Sequence, residues 1–533
     1  MVGIDRARLL EHLRFFSTET PNRAAGSADE ARAADYAAEN LRAAGWRVAF
    51  EPFETLTSRV RETVVSVSGD RDLPAVGIGY ATPRGSGRFL DLVDAGDGSL
   101  AAYNGVDAAG KAVLVAAGGP SVPDKSFIAH RKGAAAVLLA SPPSPEPSLA
   151  LRAQKGVWGP PLPEDLLDLP DVTAVSLTHQ GGQRLRELLR LRGRVQVRLG
   201  HAAETLWRPL RQLVARFGPD EAEFVLLHGH LDAWSPGVTD NATGIAALLE
   251  TGRALAQGPV PPRGLRLALW TGHEVEEASG SAAFVEAHWA ELRRCVAHLN
   301  VDSPGCEGGE RVILYRSLEL RTLASSVLAA EGVPLARELP LAKESDNSFA
   351  LAGVPGLGVV PAGESVGTSP GQRVAPLWWM HTDRDTIERV RPDLLVRDTA
   401  LALKLARVLA RRPTLHDFAP VQDLLHDTLA QLGDPSLLAA WPKAAKALAG
   451  VRSGEGARHV SRLLLATLGT RGGRLHQDRY GDPHYAYEYP GIAHLLGADA
   501  PEHTLLPARL RERNRLDDLI HALQSLEASP DGP

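Results

Sequence analysis

The sequence has very few cysteines and no long apolar segment. Cys295 and Cys306 are the only 2 cysteines among 533 residues. They are too few for the disulfide framework of a small secreted protein and too far apart for a C-x-x-C motif. No apolar stretch approaches the ~20 residues that span a bilayer as a helix. We therefore expect no disulfide framework and no membrane partner.

The sequence also lacks an excess of positive charge. Acidic residues outnumber basic residues by 64 to 58, for a formal net charge of −6. There is thus no basic footprint for a nucleic acid. The first residues, MVGIDRARLLEHLRFF, follow an amphipathic helix pattern and carry charges where a signal peptide has an apolar run. These features predict a cytoplasmic protein without a nucleic-acid partner.

The residues that are present indicate an ordinary globular protein of several domains. The hydrophobic fraction is 44% and the charged fraction 23%, and the length suggests about three or four domains. Runs such as EFVLLHGH, GLRLALWTG and VAHLNVD alternate with helical patterns between residues 193 and 412. This alternation predicts an α/β fold with a mostly parallel central sheet covered by helices.

Changes of pattern divide the chain into three parts. Residues 1–65 and 193–412 together form the predicted α/β domain, which is therefore discontinuous. Residues 66–192 have short apolar runs separated by Gly, Pro and Asp, which predicts a β-rich inserted module. Residues 413–533 follow a largely helical pattern. The inserted module has no cluster of histidines, cysteines and carboxylates, so we expect no chemistry from it.

Histidines and carboxylates follow the ends of the predicted strands. They stand in the five segments HGHLDAW, VTDNATG, WTGHEVEEASGS, HLNVDSPG and WWMHTDRDT. The carboxyl ends of parallel strands meet at one edge of a sheet, where ligands bind. The candidate metal ligands in these segments are His230, Asp240, Glu274, Asp302 and His381, with Asp232 close to the first.

Imidazoles and carboxylates in this combination suit a pair of divalent ions. Zinc takes both ligand types at ~2.0–2.2 Å, and one carboxylate can bridge two ions. Two such ions can acidify a water held between them and polarise a scissile carbonyl. Each segment alone is weak, because a His-x-Asp at a strand end is usually a hydrogen-bonded pair and an Asp is often a helix cap. Five such segments in order favour a metal centre, with two zinc ions as its cofactors.

The order H-x-D, D-N-x-x-G, W-x-G-x-E…G-S, N-x-D-x-x-G and H-T-x-x-D-T resembles the co-catalytic zinc exopeptidases of metallopeptidase family twenty-eight. That family includes bacterial aminopeptidases, glutamate carboxypeptidase and the inactive transferrin receptor. The resemblance covers roughly residues 1–65 and 193–410. It implies a three-layer α/β/α sandwich that hydrolyses the terminal bond of a peptide with a metal-bridging water as the nucleophile.

The resemblance also implies roles for the candidate ligands. One zinc would take His230, Asp240 and Asp302, and the other would take Asp240, Glu274 and His381, so that Asp240 bridges the two. Asp232 would fix the ring of His230 from behind. The Asp240–Asn241 peptide would be cis.

Two further parts of the chain resemble features of the larger family members. The stretches DAAGKAVLVAAGG and AHRKGAAAVLLAS are similar to a protease-associated domain inserted into the peptidase fold. The helical residues 413–533 occupy the place of a dimerisation domain. The resemblance therefore implies a homodimer.

One position departs from the family pattern. Members carry two adjacent glutamates after W-x-G, the first a general base and the second a metal ligand, whereas this chain has His273–Glu274. Aligned from W-x-G, His273 takes the base position and Glu274 remains a ligand. Aligned from the G-S segment, Glu274 becomes the base and Val275 replaces the ligand. We prefer the first, because the strand end fixes the geometry more firmly than the loop does. A neutral imidazole can act as a base near pH 7, and Glu276 and Glu277 are nearby substitutes.

Two other hydrolase motifs are incomplete. His273–Glu274 begins an H-E-x-x-H zinc motif, but Glu277 stands where the second histidine belongs. Residues 367–371 match G-x-S-x-G, yet Pro370 follows the serine and has no N–H for an oxyanion hole. We therefore predict a two-metal exopeptidase acting on peptides, more in the manner of an aminopeptidase than of a carboxypeptidase. The alternative is a peptidase-like binding protein that has lost turnover.

Overall fold

The computed structural model describes most of the chain. The described residues are 3–85, 87–220, 222–234, 236–341, 348–350, 352–363, 377–451, 454–468 and 502–526, with the backbone alone for 502–509. The G-x-S-x-G match at 367–371 lies outside them. In the described part, no helix has both the length and the apolar character needed to cross a membrane.

Thirteen strands of the described residues join one mixed sheet. In chain order they are β1 (Arg47–Val67), β2 (Ala75–Gly77), β3 (Leu90–Asp94), β4 (Ala112–Val115), β5 (Ala136–Ala140), β6 (Thr173–Leu177), β7 (Gln196–Phe217), β8 (Phe224–His230), β9 (Gly264–Trp270), β10 (Cys295–Val301), β11 (Val312–Arg316), β12 (Leu335–Pro340) and β13 (Gly356–Pro361). The α/β character with a mostly parallel central sheet confirms the predicted fold class.

The described helices follow the predicted helical patterns. They are α1 (Arg6–Arg14), α2 (Ala28–Ala43), α3 (Val122–Arg131), α4 (His179–Arg192), α5 (Thr243–Ala256), α6 (Ser279–Ala287), α7 (Arg321–Ala330), α8 (Pro392–Arg411), α9 (Ala419–Leu432), α10 (Pro435–Gly450), α11 (Gly454–Leu468) and α12 (Glu502–Ser525). Ser27 caps the start of α2, because its hydroxyl accepts the backbone N–H of Glu30.

The centre of the sheet consists of parallel strands that are buried along their whole length. The strands β10, β8 and β9 are neighbours in that order, and β13 pairs with β10 in the same direction. Every residue of β8, β9 and β10 is buried. Continuous apolar strands of this kind need cover on both faces, which explains why their sequences do not alternate between apolar and polar residues.

Helices cover the two faces of this central sheet. On one face, α1, α2, α5, α7 and α8 join the strands in a single apolar cluster that includes Leu41, Leu248 and Leu405. On the other face, Phe284 of α6 packs with Trp270 and Phe349. Strands between two helical layers make a three-layer arrangement.

A long two-stranded ribbon connects the α/β domain with the inserted module. The strands β1 and β7 pair antiparallel from Arg47 with Arg216 to Val67 with Val197. In the module, β3, β4, β5 and β6 run parallel. Leu185 of α4 packs on one face of these strands and Ala129 of α3 on the other. The module thus has a sheet and helices of its own.

The described C-terminal helices have a separate apolar core. Side chains of α9, α10, α11 and α12 form one cluster, to which Leu318 of the α/β domain also belongs. Arg458 of α11 pairs with Glu223, which lies just before β8. The helical bundle is therefore packed directly against the α/β domain.

The contact between β10 and β13 gives a stability prediction. A Cβ added at Gly356 would lie 2.0 Å from Nε2 of His298, which is fully buried and has no room to move. We expect Gly356→Ala to lower the free energy of unfolding by about 1–3 kcal/mol, the usual cost of overpacking. Thermal or urea unfolding measures this loss.

Gly85→Ala is the matched control, because its added Cβ meets no atom within 4 Å. In the double variant with His298→Ala, the two losses should be less than additive, since the steric conflict disappears. If Gly356→Ala unfolds at the same midpoint as the unaltered protein, the proposed steric constraint is wrong.

Candidate metal centre

The candidate ligands converge at the carboxyl ends of three neighbouring parallel strands. His230 is the last residue of β8, and Asp302 directly follows β10. Glu274 lies four residues beyond the end of β9, in the turn that leads to α6. Asp240 lies in a turn immediately before α5. The sheet topology therefore brings together residues that are as many as 72 positions apart in the sequence.

Asp240 faces both histidines, one with each carboxylate oxygen. Its Oδ1 lies 3.0 Å from Nε2 of His230, and its Oδ2 lies 2.9 Å from Nε2 of His381. The Asp240–Asn241 peptide is cis, as the resemblance implies. A carboxylate whose two oxygens point to two separate imidazoles has the arrangement of a bridging ligand.

Each histidine also faces a second carboxylate. Nε2 of His230 lies 3.4 Å from Oδ2 of Asp302, and Nε2 of His381 lies 3.4 Å from Oε2 of Glu274. We name the two groups the His230 half (His230, Asp240 and Asp302) and the His381 half (Asp240, Glu274 and His381). His381 is 30% exposed, whereas His230 is 1% exposed. The His381 half is thus at the rim of the site and the His230 half is at its base.

The donor set fits divalent cations better than it fits protons. Oε1 of Glu274 is buried and has no hydrogen-bond partner among the described residues. His230, Asp240 and Glu274 each offer a ligand atom, and these atoms lie within 4.8 Å of one another. Imidazole nitrogen and carboxylate oxygen are the ligands of catalytic zinc sites. A buried carboxylate oxygen without a donor is the feature that a bound cation would explain.

The electrostatics point the same way. Burial lowers the pKa of His230, but the charges of Asp302 and Asp240 outweigh it, so this pKa lies well above its usual value. Burial and then the charge of Asp240 raise the pKa of Glu274 well above its usual range. Burial also raises the pKa of Asp240, yet hydrogen bonds from the two histidines outweigh it and lower the pKa. Without a cation, protons on His230 and on Glu274 offset part of the buried negative charge.

The turn that carries Asp240 is held by Asp385. The two carboxylate oxygens of Asp385 accept the backbone N–H groups of Thr239 and Asp240, at 2.8 and 3.0 Å, and the hydroxyl of Thr239 at 2.7 Å. Burial raises the pKa of Asp385 to about 7. The motif H-T-x-x-D-T contains this aspartate, but sequence reasoning assigned it no role.

Asn241 ties the same turn to the end of β10. Its Oδ1 accepts the N–H groups of Gly244 and Ser303, and its Nδ2 donates to the carbonyl of Val301. A Cβ at Gly244 would lie 1.9 Å from that Oδ1, which explains the glycine of D-N-x-x-G. The motifs D-N-x-x-G and N-x-D-x-x-G therefore describe a single hydrogen-bonded unit.

Arg23 supports the loop between His230 and Asp240 from below. Its fully buried guanidinium donates to the carbonyls of Leu231 and Gly237. Burial lowers its pKa to about 10. No pattern around Arg23 in the sequence indicates this role, because the residue lies more than 200 positions from the loop that it holds.

Asp232 differs from the sequence-based expectation. The ring of His230 is fixed by the backbone carbonyl of Asp232, which lies 2.8 Å from Nδ1, and not by its carboxylate. The carboxylate instead accepts the N–H groups of His273 and Glu274, each at 3.0 Å. The predicted position behind His230 is right, but the side chain anchors the loop after β9.

His273 lies beside the His230 half. Its ring stacks on the ring of His230, with centroids 4.2 Å apart. Burial and then the charge of His230 lower its pKa well below the usual value, so the imidazole is neutral. Its Nδ1 is buried without a hydrogen-bond partner among the described residues. A ring nitrogen lies within 4.8 Å of ligand atoms of His230 and Asp302, close enough for His273 to take a proton or to bind a cation.

Glu276 and Glu277 face the inserted module. Burial and then the charge of Asp232 raise the pKa of Glu276 to about 8. The fully buried Lys155 of the module donates to the backbone carbonyl of Glu276 at 2.7 Å and interacts electrostatically with both glutamates. Burial lowers the pKa of Lys155 to about 8. Neither glutamate belongs to a group of potential metal ligands in the described part of the chain.

The inserted module contacts the site, although its sequence has no cluster of histidines, cysteines and carboxylates. The segment 151–159 (LRAQKGVWG) lies between two loops of the α/β domain. Its Leu151 N–H donates to the carbonyl of His381 at 2.7 Å, and its Gly159 N–H donates to the carbonyl of Glu277 at 2.9 Å. Composition could not reveal this, because the contacts are made largely by backbone groups.

Comparisons with known proteins identify the α/β domain. Residues 212–406 match the sequence profile described as Peptidase family M28. A relative named probable lipoprotein aminopeptidase, from Mycobacterium tuberculosis, is 28% identical over 290 residues, which are 52% of this chain and 54% of that protein. The matches to the curated relatives span between 13% and 54% of those relatives' length.

Two solved structures have the same fold. A zinc aminopeptidase from Bacillus subtilis is 20% identical, with a TM-score of 0.62 over 77% of this chain and 97% of that one. A peptidase M28 precursor from Shewanella amazonensis is 18% identical, with a TM-score of 0.64 over 77% of this chain and 95% of that one. At these identities the likeness establishes the fold, and the sequence match supplies the family. The chain contains a peptidase family M28 domain over residues 212–406.

Proposed function

We propose that this protein is a two-metal aminopeptidase that holds two divalent cations, zinc being the expected metal. The observation that carries this proposal is Asp240, which presents one oxygen to His230 and the other to His381. His230 and Asp302 would hold one cation, and Glu274 and His381 the other. Two cations there would polarise the scissile carbonyl and lower the pKa of an attacking water.

The chain's own residues would hold this geometry and exclude competing arrangements. Asp385 and Asn241 fix the Asp240 turn through backbone hydrogen bonds, and Asp232 fixes the loop that carries Glu274. Ligands held by such contacts need little reorganisation when a substrate binds, which lowers the barrier to reaction.

We assign the general base to His273. Its imidazole is neutral, its Nδ1 has no hydrogen-bond partner among the described residues, and its stacking on His230 places it next to the proposed cations. Glu276 and Glu277 are less suitable, since both interact with Lys155 of the inserted module.

The aminopeptidase assignment rests on a relative and on structural neighbours that are named aminopeptidases. A carboxypeptidase is the other exopeptidase class, and one curated relative is named probable glutamate carboxypeptidase.

We also propose that residues 413–533 join two copies of the chain, that residues 66–192 form a protease-associated domain and that the protein is cytoplasmic.

Hydrolysis assays with blocked substrates distinguish an aminopeptidase from a carboxypeptidase and from a peptidase-like binding protein. The purified protein, loaded with zinc, should hydrolyse amino-acid anilides and peptides with a free amino end, and it should not hydrolyse N-acetylated equivalents. Hydrolysis of N-blocked peptides with a free carboxyl end would instead identify a carboxypeptidase. Turnover of neither class, despite bound zinc, would favour a peptidase-like binding protein.

Asp240→Ala should abolish activity and lower the metal content, because both proposed cations lose a ligand at once. Elemental analysis after dialysis measures the bound zinc. Asp70→Ala is a control aspartate, since its carboxylate pairs with Arg184 of the inserted module. Two tightly held zinc ions in Asp240→Ala would contradict the bridging assignment.

Separate substitutions of the neighbours His273 and Glu274 test which of them is the base and which is the ligand. His273→Ala should lower kcat by ~10²–10⁴-fold, the usual contribution of a general base, and leave the zinc content unchanged. Glu274→Gln should lose zinc, because it removes a charged ligand.

The reverse result, with zinc lost in His273→Ala and kept in Glu274→Gln, would show that the roles are exchanged. If His273→Ala retains full activity, the base lies elsewhere, and the same assay on Glu276→Gln and Glu277→Gln would locate it.

A further inference from the structure

Arg152 of the inserted module reaches the rim of the proposed metal centre. Its Nη1 lies 3.4 Å from Nδ1 of His381, whose Nε2 lies 2.9 Å from Oδ2 of Asp240. The neighbouring Leu151 N–H donates to the carbonyl of His381 at 2.7 Å, which fixes the segment in this position. Guanidinium, imidazole and carboxylate therefore form a continuous polar chain.

The chemistry of Arg152 determines how His381 must carry its proton. A guanidinium has only donors, so its contact with Nδ1 is attractive when that nitrogen offers its lone pair. A neutral imidazole then carries its hydrogen on Nε2, where it donates to Asp240. In this state the nitrogen that faces the other ligands has no lone pair for a cation.

Cation binding at Nε2 of His381 reverses this arrangement. The lone pair must then be on Nε2 and the hydrogen on Nδ1, so that two donors face each other across the contact with Arg152. The charge of the guanidinium also repels a cation in the same half. A cation in the His381 half must therefore displace Arg152.

The His230 half is arranged in the opposite way. Nδ1 of His230 lies 2.8 Å from the backbone carbonyl of Asp232, which is an acceptor. That contact keeps a hydrogen on Nδ1, which is what a histidine that binds a cation through Nε2 requires. The hydrogen bonding of His230 therefore favours a cation in the His230 half, whereas the contact of His381 with Arg152 opposes a cation in the His381 half.

We propose that Arg152 opposes cation binding in the His381 half, so that this half fills after the His230 half and more weakly. The inference rests on the proposed metal centre and adds a role for the inserted module, which would set the occupancy of the second metal position. Arg152 acts through His381 and is a positioning residue.

Zinc titration of the metal-free, full-length protein against a chelator of known affinity tests this. The unaltered protein should show two binding steps of unequal affinity. Arg152→Met should strengthen the weaker step by about tenfold or more, from loss of the nearby charge, and leave the stronger step unchanged. Arg152→Lys, which keeps a charged donor, should remain within a few-fold of the unaltered protein.

Arg186→Met is the matched control, because Arg186 also belongs to the inserted module but pairs with Asp94. It should not change either step. Melting temperatures of the metal-free variants check that each is folded, and activity is not needed as a readout.

The outcomes distinguish this inference from the proposed function. An unchanged weaker step in Arg152→Met overturns the inference alone. Fewer than two zinc ions bound by every variant overturns the inference and the proposed centre together. A strengthened weaker step in a protein that hydrolyses no peptide supports the inference and contradicts the proposed function.

Discussion

Negative charge buried at the carboxyl ends of β8, β9 and β10 is the constraint around which the site is arranged. An ionised carboxylate in a protein interior costs several kcal/mol unless it is paired or hydrogen-bonded. Asp232 and Asp385 meet this requirement with backbone N–H groups, and Asp240 meets it with two imidazoles. The remaining deficit is at Oε1 of Glu274, which has no hydrogen-bond donor among the described residues. A divalent cation would supply what hydrogen bonds do not.

The same constraint explains why so many contacts around the site are to the backbone. A carboxylate that accepts two N–H groups fixes the path of a turn as well as its own orientation. Asp232 does this for the loop after β9, and Asp385 does it for the turn before α5. Both loops carry proposed ligands, so the polar interior that is costly to bury also determines the ligand geometry. Such preorganised sites change little when they bind.

The sequence predicted the parts of the site that depend on strands and their ends. The apolar runs before His230, His273 and Asp302 identify buried parallel strands, and parallel strands bring their ends together whatever their separation along the chain. It did not predict which atom of Asp232 faces His230, because a one-letter code does not distinguish a carbonyl from a carboxylate contact. Nor did it predict Arg152, whose contact with His381 spans 229 residues and depends on how the inserted module lies against the domain.

Position 273 carries a histidine where the family pattern has a glutamate. This difference changes the charge of the site as well as its proposed base. The three proposed ligand carboxylates, Asp240, Glu274 and Asp302, carry three negative charges, whereas two divalent cations carry four positive ones. A glutamate base would restore the balance, but a neutral His273 does not. Arg152 adds a further positive charge at the rim. With two cations bound, both residues would act in the same direction: they would leave the first cation well compensated and make the second depend on an anionic group that enters with it.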